Sequence, residues 1–204
     1  MSSFDIKAAG WDNNPVYLER SKAIADALIS SIPIREEMTA IEYGAGTGIT
    51  SFLLKDSLRE ITLMDNSTGM LEVTNEKIRA AKVENLKALK FDLEHDDYTG
   101  ARVDLIISQM VLHHISDIVN IIRKFHGMLN PGGFLAIADL YSEDGSFHGE
   151  GFTGHNGFNP DELSHIIAEL GFKNISHREC FVMHKVIAEG MTKQFRLFLL
   201  TAER

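Results

Sequence analysis

Between Ala40 and Ala138, short apolar runs alternate with segments whose apolar residues recur at helical spacing, and that alternation leaves few folds open. Strands are expected at Ala40 to Tyr43, Ile61 to Met64, Leu86 to Phe91, Val103 to Ser108 and Phe134 to Ala138. Helices are expected from about Ile49, over Thr68 to Lys82, and where Ile118, Ile121, Ile122, Phe125 and Leu129 recur, the last closed by the turn Asn130-Pro131-Gly132-Gly133. Parallel strands joined by crossover helices satisfy this order, so the chain reads as an open α/β sheet whose ligands bind at the carboxyl ends of the strands. Asn14-Pro15 opens what reads as the first ordered element, a helix with Leu18, Ala25 and Leu28 on one face that stops near Ile32-Pro33. The last third differs. Gly145 to Asn159 is glycine-rich and irregular, Asn159-Pro160-Asp161-Glu162 caps a helix closed by Gly171, and two strands follow, Ile175 to Ile187 and Phe195 to Ala202. The link near Glu189-Gly190 is too short for a crossover helix, so this pair is expected to be antiparallel.

A chain of 204 residues, 44% of them hydrophobic, supports one buried core, divided here into a helical cap (1–35), a ligand-binding core (36–140) and a lid, helix and strand pair (141–204). The formal charge of -9 repels polyanions, which argues against nucleic acid and anionic membranes as partners. The single Cys180 excludes an internal disulfide and a thiolate zinc site. Asp5 and Lys7 interrupt the N-terminal stretch where a signal peptide needs an apolar run, so a reduced, cytoplasmic location is the expectation.

The first strand runs into Glu42-Tyr43-Gly44-Ala45-Gly46-Thr47-Gly48, a strand-to-helix turn that lets a ligand approach the backbone. A dinucleotide fingerprint counted from Gly44 needs its third glycine where Ile49 stands, which argues against an NAD-dependent oxidoreductase. Glu42 suits a ligand with a cationic amine better than one with a pyrophosphate. This stretch resembles the first motif of the class I S-adenosylmethionine-dependent methyltransferases. Leu63-Met64-Asp65-Asn66, Phe91-Asp92-Leu93, the run Asp104 to Ile115 and Leu129 to Leu135 resemble the motifs that follow it, in order. The resemblance implies a single-domain, Rossmann-like open sheet of seven strands, mostly parallel with the last antiparallel. It also implies roles: Asp65 on the ribose diol, Asn66 against adenine, Asp92 on the exocyclic amine, the Leu93 backbone on the ring, and Ser108 and Gln109 near the methionine amine. Gly44, Gly46 and Gly48 complete the cofactor set. The implied function is S-adenosylmethionine-dependent methyl transfer to a small-molecule acceptor, by metal-independent in-line displacement. A non-catalytic S-adenosylmethionine-binding regulatory subunit is the alternative from another class.

His113 and His114 follow the fourth strand and are the first candidates for a general base, with His155 second. No metal site is expected, because the acids near His148, His155 and His165 have no recognisable ligand spacing, and Ser108-Gln109 stands where magnesium-dependent catechol-type enzymes carry an acid. Between Lys124 and Lys173 there is no Lys or Arg to offset seven acids. Phe147, Phe152 and Phe158 punctuate the glycines of that segment; with His155, Trp11 and Tyr17 they are expected to form a lid over a neutral or cationic acceptor. The oligomeric state is left open by the sequence.

Overall fold

The computed structural model describes residues 3–204; Met1 and Ser2, which open the expected 1–35 cap, lie outside the described residues. Seven strands form one sheet: β1 (Thr39–Tyr43), β2 (Glu60–Asp65), β3 (Leu86–Lys90), β4 (Val103–Gln109), β5 (Leu129–Leu140), β6 (Lys173–Ala188) and β7 (Met191–Glu203). Their order is β3-β2-β1-β4-β5-β7-β6, with β1 to β5 parallel and β7 antiparallel to both β5 and β6, the architecture that the resemblance implied.

Among the described residues six α-helices accompany the sheet: α1 (Ser3–Lys7), α2 (Pro15–Ser31), α3 (Ile49–Leu54), α4 (Thr68–Ala81), α5 (Ile118–Met128) and α6 (Pro160–Glu169). Side-chain oxygens cap four of their N-termini. Asn14 accepts from the Val16 N–H (3.1 Å), Ser67 from Met70 (3.2 Å), Asp117 from Asn120 (2.9 Å) and Asn159 from Asp161 (2.9 Å). The strand period of two divides the core between the faces of the sheet. Ala40, Leu105, Ile107, Ala136 and Ala138 pack with Ile24 and Leu28 of α2. Ile41, Tyr43, Ile106, Leu135 and Ile137 pack with Phe125 of α5 and with Leu163 and Ile167 of α6.

Two local expectations give way. The first ordered element is not α2, because α1 and a 3-10 turn at Ala8–Asn13 precede it. Such short helices have little stability of their own, and tertiary bonds from Asp5 and Asp12 hold them. Nor is Asn130 to Gly133 a free turn: β5 begins at Leu129, directly after α5, and its register against β4 shifts between Val103 and Leu105. The end of β7 supplies the backbone partners, since Gly132 N donates to Arg204 O (3.1 Å) and Arg204 N donates to Gly133 O (2.9 Å). No helix among the described residues is long and apolar enough to cross a membrane.

Candidate functional site

The strand order reverses beside β1, which sits between β2 and β4, and crevices form at the carboxyl ends of strands where this happens. A cavity of about 600 Å³ opens there, within the ~300–1,000 Å³ typical of small-molecule sites. The turn after β1 is bonded to β2, with Gly44 N and Ala45 N both donating to Met64 O (2.8 and 3.1 Å). At Gly44, φ is +68° and a Cβ would stand 2.3 Å from Val111 Cγ2, so no other residue fits without movement. At Gly46, with φ +56°, an added Cβ would meet only Met70 Sδ, at 3.9 Å, which leaves the backbone of the loop uncovered on the cavity wall.

Asp65 holds this loop in place. Its Oδ2 accepts from Gly46 N (2.7 Å) and its Oδ1 from Ser67 N (2.8 Å). Burial pushes its pKa up, against the pull of these N–H donors. Glu42 is buried and accepts from Ser51 N (3.0 Å) and from the Ser51 hydroxyl. Burial pushes its carboxyl up to about 7, with the Ser51 hydrogen bonds opposing. Asn66, Asp92 and Leu93 also reach the wall. Burial alone would raise Asp92, but His95 and the Glu94 N–H outweigh it and hold its carboxyl below the usual range.

Not every expected residue faces the cavity. Gly48 lies off the wall, where an added Cβ would stand 2.5 Å from Leu63 Cδ2, so its smallness lets the start of α3 pack against β2. Ser108 is buried off the wall, and its hydroxyl has no hydrogen-bond partner among the described residues. Gln109 is on the wall and ties two helices together, accepting from Thr50 Oγ1 (2.7 Å) and donating to Ser21 Oγ (2.8 Å).

The other end of the same cavity is aromatic and rich in histidine. His113 Nδ1 stands 2.6 Å from Asp139 Oδ1, and both side chains are 1% exposed. Leu140 N donates to the same oxygen (2.7 Å), and with Nδ1 turned to this carboxylate the His113 ring keeps its Nε2 clear of that contact. The His114 ring lies 4.2 Å from that of His113, and His148 arrives from the segment after β5, stacked on Phe152 at 3.8 Å. The three histidines each bring a ring nitrogen to within 4.8 Å of the others. Burial, reinforced by neighbouring His113, holds His114 and His148 at about 4. The set differs from the His148, His155 and His165 weighed in the sequence. His155 is off the wall: its N donates to His113 O (2.7 Å) and its Nε2 meets Ile115 O (3.0 Å), which anchors the segment.

The expected lid is partly tied down. Ser142 N to Phe158 O (2.9 Å) and Glu143 N to Asn156 O (2.9 Å) close its base into a ladder, and Phe158 packs in the core away from the cavity. Phe147 and Phe152 remain on the wall, as do Trp11 and Tyr17, whose rings lie 4.6 Å apart. The segment's acids are not without basic partners, as the linear count implied. Lys193 reaches Asp144 and Ser146, and Lys185 donates to Phe147 O, both from strands distant in sequence.

Sequence reading missed several wall residues. Behind the wall it also missed Asp139, buried one residue before β5 ends, whose place near the carboxyl end of the strand was its only signal. Lys185 comes from β6, and Arg20 from α2, where the guanidinium stacks over Tyr17 and its Nε has no partner among the described residues. Burial lowers Arg20 to about 10, opposed by Tyr17 and Asp139. Phe4 and Lys7 close one side, on a strap fixed at two points. Asp5 accepts from Ser67 Oγ (2.6 Å) and Gly69 N (3.0 Å), and Asp12 accepts from Thr47 Oγ1 (2.5 Å) and Lys77 Nζ (2.6 Å).

A methyltransferase-domain family model matches residues 41–137, which span β1 to β5 and the whole of the glycine turn. An uncharacterized methyltransferase of Schizosaccharomyces pombe is 29% identical over 167 residues, covering 74% of this chain. The chain spans 57% of that relative's length. A methyltransferase solved with the Trm112 activator of Haloferax volcanii superposes with a TM-score of 0.77 at 17% identity, over 100% of this chain and 98% of that one. The N-methyltransferase NodS of Bradyrhizobium japonicum, solved with S-adenosyl-L-homocysteine, gives 0.70 at 18% identity, over 95% and 89%. The two structures share the fold, and the family match falls on the strands and turns that build the cavity. Over residues 41–137 the chain is similar to the methyltransferase-domain family, and it shares its fold with these solved methyltransferases, one of which holds S-adenosyl-L-homocysteine.

Proposed function

We propose that the chain transfers a methyl group from S-adenosylmethionine to a small-molecule acceptor held at the histidine end of the cavity. One observation carries the reading: a single cavity joins the Asp65 and Asp92 carboxylates at one end to His113, His148 and Phe152 at the other. The residues present fit the cofactor. Gly46 leaves the loop uncovered, Asp65 has spare lone pairs for a diol, Asn66, Asp92 and the Leu93 backbone suit an adenine, and buried Glu42, with Gln109 nearby, suits a cationic amine.

S-adenosylmethionine, when bound, supplies a methyl already activated on a sulfonium, so displacement at that carbon is in line and itself needs no metal. The protein's task is therefore chiefly to hold acceptor and donor in register, which is worth about 7–11 kcal/mol, whereas a general base adds about 10²- to 10⁴-fold. Proton removal from the acceptor falls to the histidine group, in which Asp139 fixes the ring of His113. Phe147, Phe152 and Trp11 exclude water. The net charge of -9 disfavours nucleic acid as acceptor, while Arg20 and Lys185 on the wall admit a carboxylate on a small one.

Radiolabelled methyl transfer to a panel of small hydroxyl, amine and thiol acceptors tests the proposal. Asp65→Ala should weaken S-adenosylhomocysteine binding by about 1–3 kcal/mol, the range for losing a hydrogen bond to a charged acceptor. Phe152→Ala should raise the acceptor KM and leave that affinity unchanged. Unchanged binding in Asp65→Ala refutes the ribose assignment.

A further inference from the structure

We propose that His113, His114 and His148 form a binding site for a zinc-class divalent cation, placed at the acceptor end of the cavity with one coordination position left open. The three residues come from two parts of the fold, two from the turn after β4 and one from the segment after β5, and each offers a nitrogen within 4.8 Å of the other two. Tetrahedral Zn–N bonds of about 2.0–2.1 Å put ligand nitrogens ~3.4 Å apart, so closure needs movements of about 1 Å. His148 can supply them. It is exposed, followed by Gly149 and Gly151, both at positive φ with nothing within 4 Å of an added Cβ.

Asp139 completes the argument. Metal-bound imidazoles usually donate their second N–H to a carboxylate, which sets the tautomer and orients the ring. The His113 Nδ1 contact to buried Asp139, at 2.6 Å, is that arrangement and leaves Nε2 as the ligand atom. Rings of Phe4 and Phe152 lie edge-on to His114, at 5.5 and 5.4 Å, which restricts that imidazole, while the loop that carries both Phe152 and the His148 stacked on it supplies the movement. Three imidazoles select zinc, cobalt, nickel or copper over magnesium and calcium, which require oxygen ligands. Three protein ligands with an open position are the pattern of catalytic rather than structural zinc. Imidazoles engaged as ligands do not act as bases, so in the metal-bound protein the open position takes that role: it suits a hydroxyl or thiol of the acceptor, whose proton passes to water more readily once the group is bound to the cation. The site stands on its own geometry; its role toward the acceptor rests on the methyl-transfer reading. It departs from the metal-free expectation, which rested on linear spacing around His148, His155 and His165 and on Ser108-Gln109 in place of an acid.

The test is titration of chelator-treated protein with Co²⁺, read by visible absorption. One saturable equivalent with intense four-coordinate bands is expected, competed by Zn²⁺ and not by Mg²⁺. His148→Ala, at an exposed position and with folding checked by circular dichroism, should abolish the bands. Asp139→Asn should weaken binding about 10- to 100-fold. His165→Ala, at an exposed position of α6, should match the wild type. Asp65→Ala should keep the Co²⁺ spectrum even where it loses S-adenosylhomocysteine, so failure of the cofactor reading and failure of the metal site are separate results. No saturable Co²⁺ uptake, uptake that survives His148→Ala, or uptake lost in His165→Ala overturns the proposal.

Discussion

Glu42→Gln is the substitution whose outcome follows most directly from the buried chemistry. Glu42 is 3% exposed, and burial pushes its carboxyl from 4.5 up to about 7. In the unfolded chain the group ionises near its ordinary value. Between these two pH values the native state holds a proton that the unfolded state has lost, so stability falls as pH rises. The contribution is fully present below pH 4.5 and gone above about 7. At ~1.4 kcal/mol per pH unit, the interval amounts to about 3 kcal/mol. Glutamine keeps an oxygen that can accept from Ser51 N and cannot ionise, so it removes this slope and little else. Urea denaturation of both proteins without cofactor, from about pH 4 to about pH 8, reads the difference directly. The variant should gain about 3 kcal/mol on the wild type across that range. Parallel pH profiles would mean that Glu42 is ionised in the native protein and that the burial argument is wrong. The same group predicts that S-adenosylhomocysteine, whose amine is cationic, binds wild type more tightly as pH rises through about 7, and that Glu42→Gln binds it more weakly and without that dependence.

Gly44→Ala forces a Cβ to 2.3 Å from Val111 Cγ2 at φ +68° and should destabilise the fold by about 1–3 kcal/mol in urea; a loss under ~0.5 kcal/mol would contradict the packing described. Phe125→Ala empties a site with 0% exposure between α5 and the sheet and should lower stability by about 3–5 kcal/mol, measured the same way. Asp12→Ala removes the exposed half of the strap's anchorage. Since exposed ion pairs contribute only about 0–1 kcal/mol, stopped-flow release of S-adenosylhomocysteine should accelerate by no more than about fivefold, and an unchanged rate would remove the strap from the path of release.

The sheet was legible because its signals are local. The alternation at Leu105, Ile106 and Ile107 and the helical spacing of Ile118, Ile121, Ile122 and Phe125 each point to one face of one element. That Asp65 and Asp92 share one cavity wall was legible for a related reason, since acids at the ends of parallel strands gather at one edge of the sheet. The acceptor end was not. His113 and Asp139 are 26 residues apart, and Lys185 and Phe147 are 38 apart, so their contacts depend on strand register and loop closure. Gly48 and Phe158 show the opposite limit: both fit a motif or a pattern, yet the side that each turns to its neighbours is set by tertiary packing. The strap was missed because α1 and its 3-10 turn are too short to show periodicity, and bonds from Asp5 and Asp12 to distant backbone and side chains hold them.

The central claim is that one cavity holds the cofactor at the carboxyl ends of β1 to β3, beside the histidine group. A crystal structure of the protein with S-adenosylhomocysteine tests it most directly. The account predicts the ribose hydroxyls within hydrogen-bond distance of Asp65, the adenine amine at Asp92, and the sulfur turned toward the end of the cavity lined by His113 and His148. Ligand bound with Asp65 and Asp92 both unengaged, or lodged outside this cavity, would contradict it.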